Sequence, residues 1–517
     1  MSAREKLLTK APVVTIADVF VLALAVAYAI SYLANLDTST FVPAEKAMPY
    51  FVIFFFLRIC FIAKPDLTNI LCILGIAFWG VFESCYGILQ YIGILDSNNS
   101  MFPITGSFRN PGPLGGFLAT TASVSVSCII KSLNRPKSSL QKVIAASAVC
   151  SALLSIIVLI LSLSRAGWLA LFVALICVAV SNGLVRSWIL KHKSLIIIAA
   201  CCAVALVYLA FLLKPESALG RFHIWNIESR AIIRSPLCGS GPNTAMGTYG
   251  REQELFFREN YADSLSVRLA GCPEYPFNEY LGIGMETGVF GFLFSILIVL
   301  TSIGNLKRNG SVLLYGIIAL AVFAFFSYPF RVPQTAILFA VFLSACKPLR
   351  PSSKVCESGI VSFLLIAAIG LHVISVMSTG RQERWKRSDV EYLFNEGVFY
   401  RRNGLYDKSN VLLSRGTCFS SDVMFHILMG RNYEDMGDFD IAMSEYEIAH
   451  YMVPCRVYPL RRMMLLYLRM GHTQEAVNIG KQIIEMPINE RNPNMTGLVN
   501  ETKQLLDSLS GNPVALK

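Results

Sequence analysis

The chain has 517 residues, of which 54% are hydrophobic and only 15% charged, with a mean hydropathy of +0.54. Soluble domains carry about a quarter charged residues, so lipid solvates most of this chain and a mainly soluble globule is excluded. The net charge of +11 gathers beside apolar runs, where it reads as a topology signal and calls for no nucleic-acid partner. An apolar run of about twenty residues crosses a hydrocarbon core of about 30 Å as a helix. Such runs fall near 12–35, 47–63, 68–92, 111–130, 143–162, 167–183, 194–213, 279–301, 311–328, 332–346 and 358–377, about eleven spans. The first lacks a small-residue cleavage site after it and reads as an anchor helix. The expected fold is all-α: a polytopic helical bundle over 1–378, followed by a helical repeat domain over 379–517.

Basic residues orient the bundle. Arg4, Lys6 and Lys10 precede the first span, and alternate connections carry Lys64, then Lys131, Arg135, Lys137 and Lys142, then Arg186, Lys191 and Lys193. Lys307 and Arg308, then Lys347, Arg350 and Lys354, continue the alternation. Under the eleven-span count all fall on one side, the cytoplasmic side by the positive-inside bias. The other side receives 93–110, the long hydrophilic stretch 214–276, and everything after about 378.

Three stretches carry candidate chemistry. The outer loop 93–110 runs through Gly106-Ser107-Phe108-Arg109-Asn110-Pro111 into Leu114-Gly115-Gly116-Phe117, where Gly and Pro break helical regularity and Arg109 and Asn110 could face a polar ligand. It could equally be an ordinary glycine-rich membrane entry. Ser162-Leu163-Ser164-Arg165-Ala166-Gly167-Trp168 is a short outer turn with an arginine at a helix junction. Such an arginine faces water or an anion, or snorkels to the interface. The long stretch offers Arg221, His223, Trp225, Arg230 and Arg234 near its start and Asp263, Asn278, Glu279, Tyr280 and Glu286 toward its end. Guanidinium presents a planar fork that suits pyrophosphate, and a carboxylate or histidine can take a proton from an acceptor hydroxyl. Arg230 and Arg234, at i,i+4, also fit a solvated helix face, and Glu286 also fits a helix cap.

From Gly380 the apolar runs give way to helical periodicity with mixed charge. Gly437 and Gly471 are 34 residues apart, as are Ala442 and Ala476, and Gly404 lies 33 before Gly437. The period resembles tetratricopeptide repeats, whose stacks form concave docking surfaces for a protein partner. A small cap on the bundle is the other reading. Cys60, Cys72, Cys85, Cys128, Cys150, Cys177, Cys201 and Cys202 lie in predicted spans as small hydrophobes. Cys238 with Cys272, and Cys418 with Cys455, could bridge in an oxidising space, although spacing alone gives no pairing.

Four motifs occur in the order seen in the O-antigen ligase superfamily, which includes bacterial O-linked oligosaccharyltransferases and some O-antigen polymerases. They are Gly106–Pro111, Ser162–Trp168, Arg221–Trp225 with Pro236–Gly241, and Asn278–Leu281 with Glu286–Gly291; the resemblance covers roughly 70–345. It implies a GT-C-type glycosyltransferase of the bacterial inner membrane that uses no nucleotide sugar, no cofactor and no essential metal. The donor would be a glycan on undecaprenyl pyrophosphate, and the acceptor hydroxyl would belong to lipid A–core or to protein Ser/Thr. Arg165 and Arg221 match the arginines that hold the leaving pyrophosphate; Arg109 matches in position only. The superfamily pattern ends the loop with His-Asn-x-Tyr-Leu, but this chain has Phe277 at the histidine position. Phenylalanine takes no proton, so Glu279, Asp263 or His223 acts instead, or no general base is needed.

Two other functions compete. A polymerase would use a second lipid-linked repeat unit as acceptor. A polyprenyl-glycan transporter would show an internal repeat or paired broken helices in its membrane part, and the sequence shows neither.

Overall fold

The computed structural model describes residues 14–133, 138–183, 186–187, 191, 215–259, 264–347, 361–362, 364–370, 373, 380–486 and 493–509. Among the described residues the regular structure is entirely helical. The apolar runs from 12–35 to 167–183 form α1 (Ile16–Ala34), α2 (Val42–Ala63), α3 (Pro65–Tyr91), α4 (Pro111–Leu133), α5 (Ser139–Leu161) and α6 (Arg165–Ser181). The hydrophilic stretch is itself helical, as α7 (Pro215–Arg234), α8 (Ala245–Glu259) and α9 (Ser264–Leu269). The apolar part resumes with α10 (Glu279–Arg308), α11 (Leu313–Phe326) and α12 (Pro333–Ser344). Helices α1 to α5 and α10 are long and apolar enough to cross a membrane; α6, α11 and α12 are apolar but shorter. The expected run at 194–213, and half of that at 358–377, lie outside the described residues.

Helix α4 is the hub of the bundle. Ala119, Thr120, Thr121, Ala122 and Ser123 are fully buried. Small residues let backbones approach closely, which drives helix association where lipid is as apolar as leucine. A Cβ on Gly116 would collide with the Phe323 ring of α11. The hydroxyls in this helix turn back onto their own backbone, Thr120 onto the Gly116 carbonyl at 2.8 Å and Ser123 onto that of Ala119 at 2.6 Å. No polar group is left facing apolar neighbours at those positions.

The two ends of the bundle differ in chemistry. At one end Lys131 donates to the Gly310 carbonyl at 2.8 Å and Asn305 to that of Lys347 at 2.6 Å. There too, Arg58 of α2 pairs with Asp18 of α1 at 2.9 Å and donates to the Cys346 carbonyl at 2.7 Å. The start of α1 and the basic ends of α4, α10 and α12 thus share one end, as the charge alternation requires. The glycine-rich motifs gather at the other.

Over that second end lie α7 and α8, packed together through Ile227, Ala231, Ala245, Met246 and Tyr249. Arg230 and Arg234 form ion pairs with Glu259 and Glu252 of α8 at 3.5 and 2.8 Å. These two arginines therefore tie one loop helix to the next.

The tail opens with α13 (Arg381–Lys386). It continues as helical hairpins: α14 (Val390–Arg402) with α15 (Tyr406–Thr417), α16 (Met424–Met436) with α17 (Phe439–Met452), and α18 (Val457–Arg469) with α19 (Thr473–Glu485). Helix α20 (Pro493–Leu509) packs on the last pair. Gly404, Gly437 and Gly471 sit at the three hairpin turns with left-handed φ of 73°, 91° and 81°. The tail is fastened to the loop helices: Gln253 of α8 donates to the Met452 carbonyl, and Ser421 donates to that of Pro273 at 2.8 Å. Arg384 and Trp385 close on Glu45 of α2. Cys238, Cys272, Cys418 and Cys455 are all free thiols, so neither of the two possible bridges is formed. Cys455 instead lies against the loop, its Sγ 3.7 Å from the Ala270 carbonyl oxygen, and the Cys418 Sγ turns to its own helix at the Ser414 carbonyl.

Candidate active site

The first two motifs form one block. Gln90 of α3 accepts from the amides of Thr105 and Gly106 at 2.9 and 2.7 Å. The buried Glu83 carboxylate accepts from Ser107 through its amide at 3.0 Å and its hydroxyl at 2.6 Å. Two polar residues on α3 thus shape the entry to α4. A Cβ on Gly167 would stand 2.7 Å from the Gly115 carbonyl oxygen, so the start of α6 rests directly on α4. This contact sets Arg165, the first residue of α6, beside the long-stretch helices.

Arg221 reaches the same place from α7. Burial, then the nearby Arg165 charge, holds its guanidinium below the ordinary value. Like charges that feel each other repel, and an anion bound beside them relieves that repulsion. The face of Phe277 lies 5.6 Å from the Arg221 guanidinium carbon, a cation–π contact that tolerates a buried cation without neutralising it. Trp225, one turn along α7, donates through Nε1 to the Phe277 carbonyl at 3.3 Å and packs its ring on Phe325 and Phe326. Trp225 therefore fixes both α7 and Phe277.

A second, acidic cluster lies beside this one. Arg331, in the short 3-10 turn Pro329–Arg331, pairs with Glu286 at 3.0 Å and Glu279 at 3.8 Å. Tyr28 of α1 donates to the other Glu286 oxygen at 3.0 Å, and the Phe330 amide donates to Glu279 at 3.3 Å. Glu286 is thus an ion-pair partner inside the bundle, and Asn278 is the cap of α10, accepting from the amides of Tyr280 and Leu281 at 3.1 and 3.2 Å. Two steps after Glu286, α10 is broken at Gly288, with φ 77° and ψ −171°. A Cβ there would stand 2.5 Å from the Pro236 carbonyl oxygen, and one on Gly239 would stand 2.5 Å from Glu286 backbone. The Pro236–Gly241 and Glu286–Gly291 motifs interlock through that close approach, which only glycine allows.

Residues 150–296 match the family model described as O-antigen ligase. The matched segment includes Arg165, Arg221, Phe277, Glu279 and Glu286. No curated protein matches the chain. The protein is a multi-pass helical membrane protein whose residues 150–296 are similar to the O-antigen ligase family, and this similarity supports a membrane glycosyltransferase of the ligase or polymerase type.

The other expected residues are spread out, Arg109 and Asn110 ahead of the matched segment. Arg109 is exposed at the rim, and Asn110 accepts from the Gly112 amide at 2.9 Å as α4 begins. Tyr280 donates to the Ala321 carbonyl at 3.1 Å, tying α10 to α11. His223 is buried 3.2 Å from the Gln253 side-chain oxygen and between the Phe256 and Phe257 rings. It is two residues from Arg221, hence on nearly the opposite face of α7. Asp263 lies outside the described residues. Among the described residues no group of three His, Cys, Asp or Glu is placed to hold a metal ion. Glu83, Gln90, Tyr28, Glu228 and Arg331 stand in none of the four sequence motifs. Glu228 had a signal, since it continues the Arg221 and Trp225 face at i+7. The others are single polar residues in apolar runs or beside them.

Proposed function

We propose that this protein transfers a glycan from undecaprenyl pyrophosphate to an acceptor hydroxyl, either on lipid A–core or on protein Ser/Thr. The observation that carries the reading is the meeting of Arg165 and Arg221, more than fifty residues apart in sequence, beside the Phe277 face. The acceptor oxygen attacks the anomeric carbon, and the lipid pyrophosphate leaves with the electron pair of the broken bond. Charge gathers on that pyrophosphate in the transition state, where preorganised cations act most strongly. The clustering of basic ends opposite the motifs supports a cytoplasmic N-terminus, with the loop helices and tail at the periplasmic face of the inner membrane.

A cleft of about 370 Å³ lies where α8 meets the tail, lined by Ser240, Arg251, Arg258, Thr417 and His426 together with the apolar Ile448 and Met452. Its inner wall is the segment that interlocks with α10. It supports a role for the tail, with its tetratricopeptide-like hairpins, in receiving the acceptor.

Arg221→Ala and Arg165→Ala in a deletion strain test the reading, with lipopolysaccharide ladders and glycoprotein blots taken from the same cells. Loss of glycan from lipid A–core assigns the acceptor as lipid, and loss from proteins alone assigns it as protein. Single-unit glycans on either assign polymerisation to a second lipid-linked unit. Normal glycans on all of them, at normal protein levels, remove the two-arginine site.

A further inference from the structure

Glu228 of α7 is fully buried, and neither carboxylate oxygen has a hydrogen-bond partner among the described residues. A buried carboxylate without donors is costly, and native structures keep one only where something else supplies the missing bond. Its neighbours are used differently. Both Glu286 oxygens are occupied, by Tyr28 and Arg331. Glu279 accepts from the Phe330 amide and stands beside Arg331. Glu228 alone keeps both oxygens free to accept.

Its position on α7 sets which groups these oxygens lie in line with. Arg221, Trp225 and Glu228 follow at i, i+4 and i+7, so they share one face of the helix. Seven residues of helix rise about 10 Å, roughly the reach from a phosphate across the sugar it carries. We propose that Glu228 is the catalytic proton acceptor for the attacking hydroxyl, at the opposite end of this face from the pyrophosphate held by Arg221. The inference rests on the transfer reading above. As the acceptor oxygen bonds to the anomeric carbon, its proton passes to the Glu228 carboxylate. The carbon–phosphate oxygen bond breaks toward the departing pyrophosphate, and Glu228 later returns the proton to water. The groups facing Glu228 are Tyr249 from α8, Glu279 from α10 and Arg331 from the 3-10 turn. Burial raises its pKa well above the carboxylate range, Arg331 opposing and Glu279 adding. The base form therefore appears only as the pH rises, and the acid limb of transfer is displaced upward from the ordinary carboxylate range.

The test uses the full-length protein. Binding of labelled undecaprenyl pyrophosphate is measured in nanodiscs, and glycan transfer is measured in deletion-strain cells held at a series of external pH values. Glu228→Gln keeps the shape and removes the base. It is expected to bind the probe as wild type does and to transfer roughly 100-fold more slowly or worse. Glu228→Asp is expected to recover part of the rate with a displaced pH profile. Wild-type transfer is expected to fall as the pH is lowered, at a pH above the ordinary carboxylate range. Wild-type transfer by Glu228→Gln, while Arg221→Ala is inactive, overturns the role of Glu228 and leaves the transfer reading standing. Where Glu228→Gln fails to accumulate, a flat wild-type profile or an undisplaced Glu228→Asp profile overturns it. Normal transfer by Arg221→Ala removes the transfer reading, and the role of Glu228 with it.

Discussion

Arg221 and Arg331 are the same residue type in two different electrostatic settings. Arg331 is flanked by Glu279 and Glu286, whose charges outweigh burial and raise its pKa. Arg221 has an aromatic face and a second arginine beside it, and burial with that charge lowers its pKa. A guanidinium already matched by carboxylates joins helices, and here it ties the 3-10 turn to α10. One left beside another cation is set up to receive an anion. Separating structural from functional arginines therefore depends on partners more than on depth.

The comparison breaks most visibly at Arg331. Arg331→Ala leaves buried carboxylates uncompensated and is expected to cost about 3–5 kcal/mol of stability, read as lost accumulation or a lowered thermal midpoint in detergent. Arg221→Ala is expected to do the reverse, reducing transfer by roughly 100- to 1000-fold with the thermal midpoint unchanged. Arg221→Lys should recover only part of the transfer, because an ammonium lacks the planar fork. If Arg221→Ala unfolds the protein and Arg331→Ala merely slows it, the two roles are assigned the wrong way round.

Gly288→Ala probes the interlock beside Arg331. The left-handed backbone and the nearby Pro236 carbonyl together are expected to cost about 1–3 kcal/mol, measured by the same thermal shift. Glu228 sets a pH dependence of known sign. Its folded pKa is raised, so its contribution to stability is full below the ordinary carboxylate range and is lost as pH rises through the raised value. The thermal midpoint of Glu228→Gln should lack that fall. The smallest effect is expected at the cleft, where Arg251→Ala should weaken acceptor use by about 1 kcal/mol or less, as exposed charges do, raising the acceptor KM and leaving kcat alone.

Much of this organisation was legible in the sequence because lipid enforces it. Apolar runs such as 143–162 and 68–92 have no other stable form in a bilayer, and α5 and α3 follow them within a few residues. The interlocking glycines were visible as motifs, though the contact between 236–241 and 286–291 required the fold. The acidic cluster was hidden for a physical reason. Glu228 lies on a helix of mixed polarity, where a glutamate ordinarily faces water, and Arg331 sits between two short apolar segments, where an arginine ordinarily snorkels. Both became meaningful only when α7, α10 and the 3-10 turn closed around them. His223 shows the opposite case: a histidine two residues from Arg221 in sequence, yet turned by the helix toward Gln253 and the tail.

The most direct measurement is equilibrium binding of labelled undecaprenyl pyrophosphate to the full-length protein in nanodiscs, comparing wild type with Arg221→Ala and Arg165→Ala. The two-arginine account predicts saturable binding by wild type that weakens in both variants and with added salt. Binding that is unchanged by either substitution would contradict it.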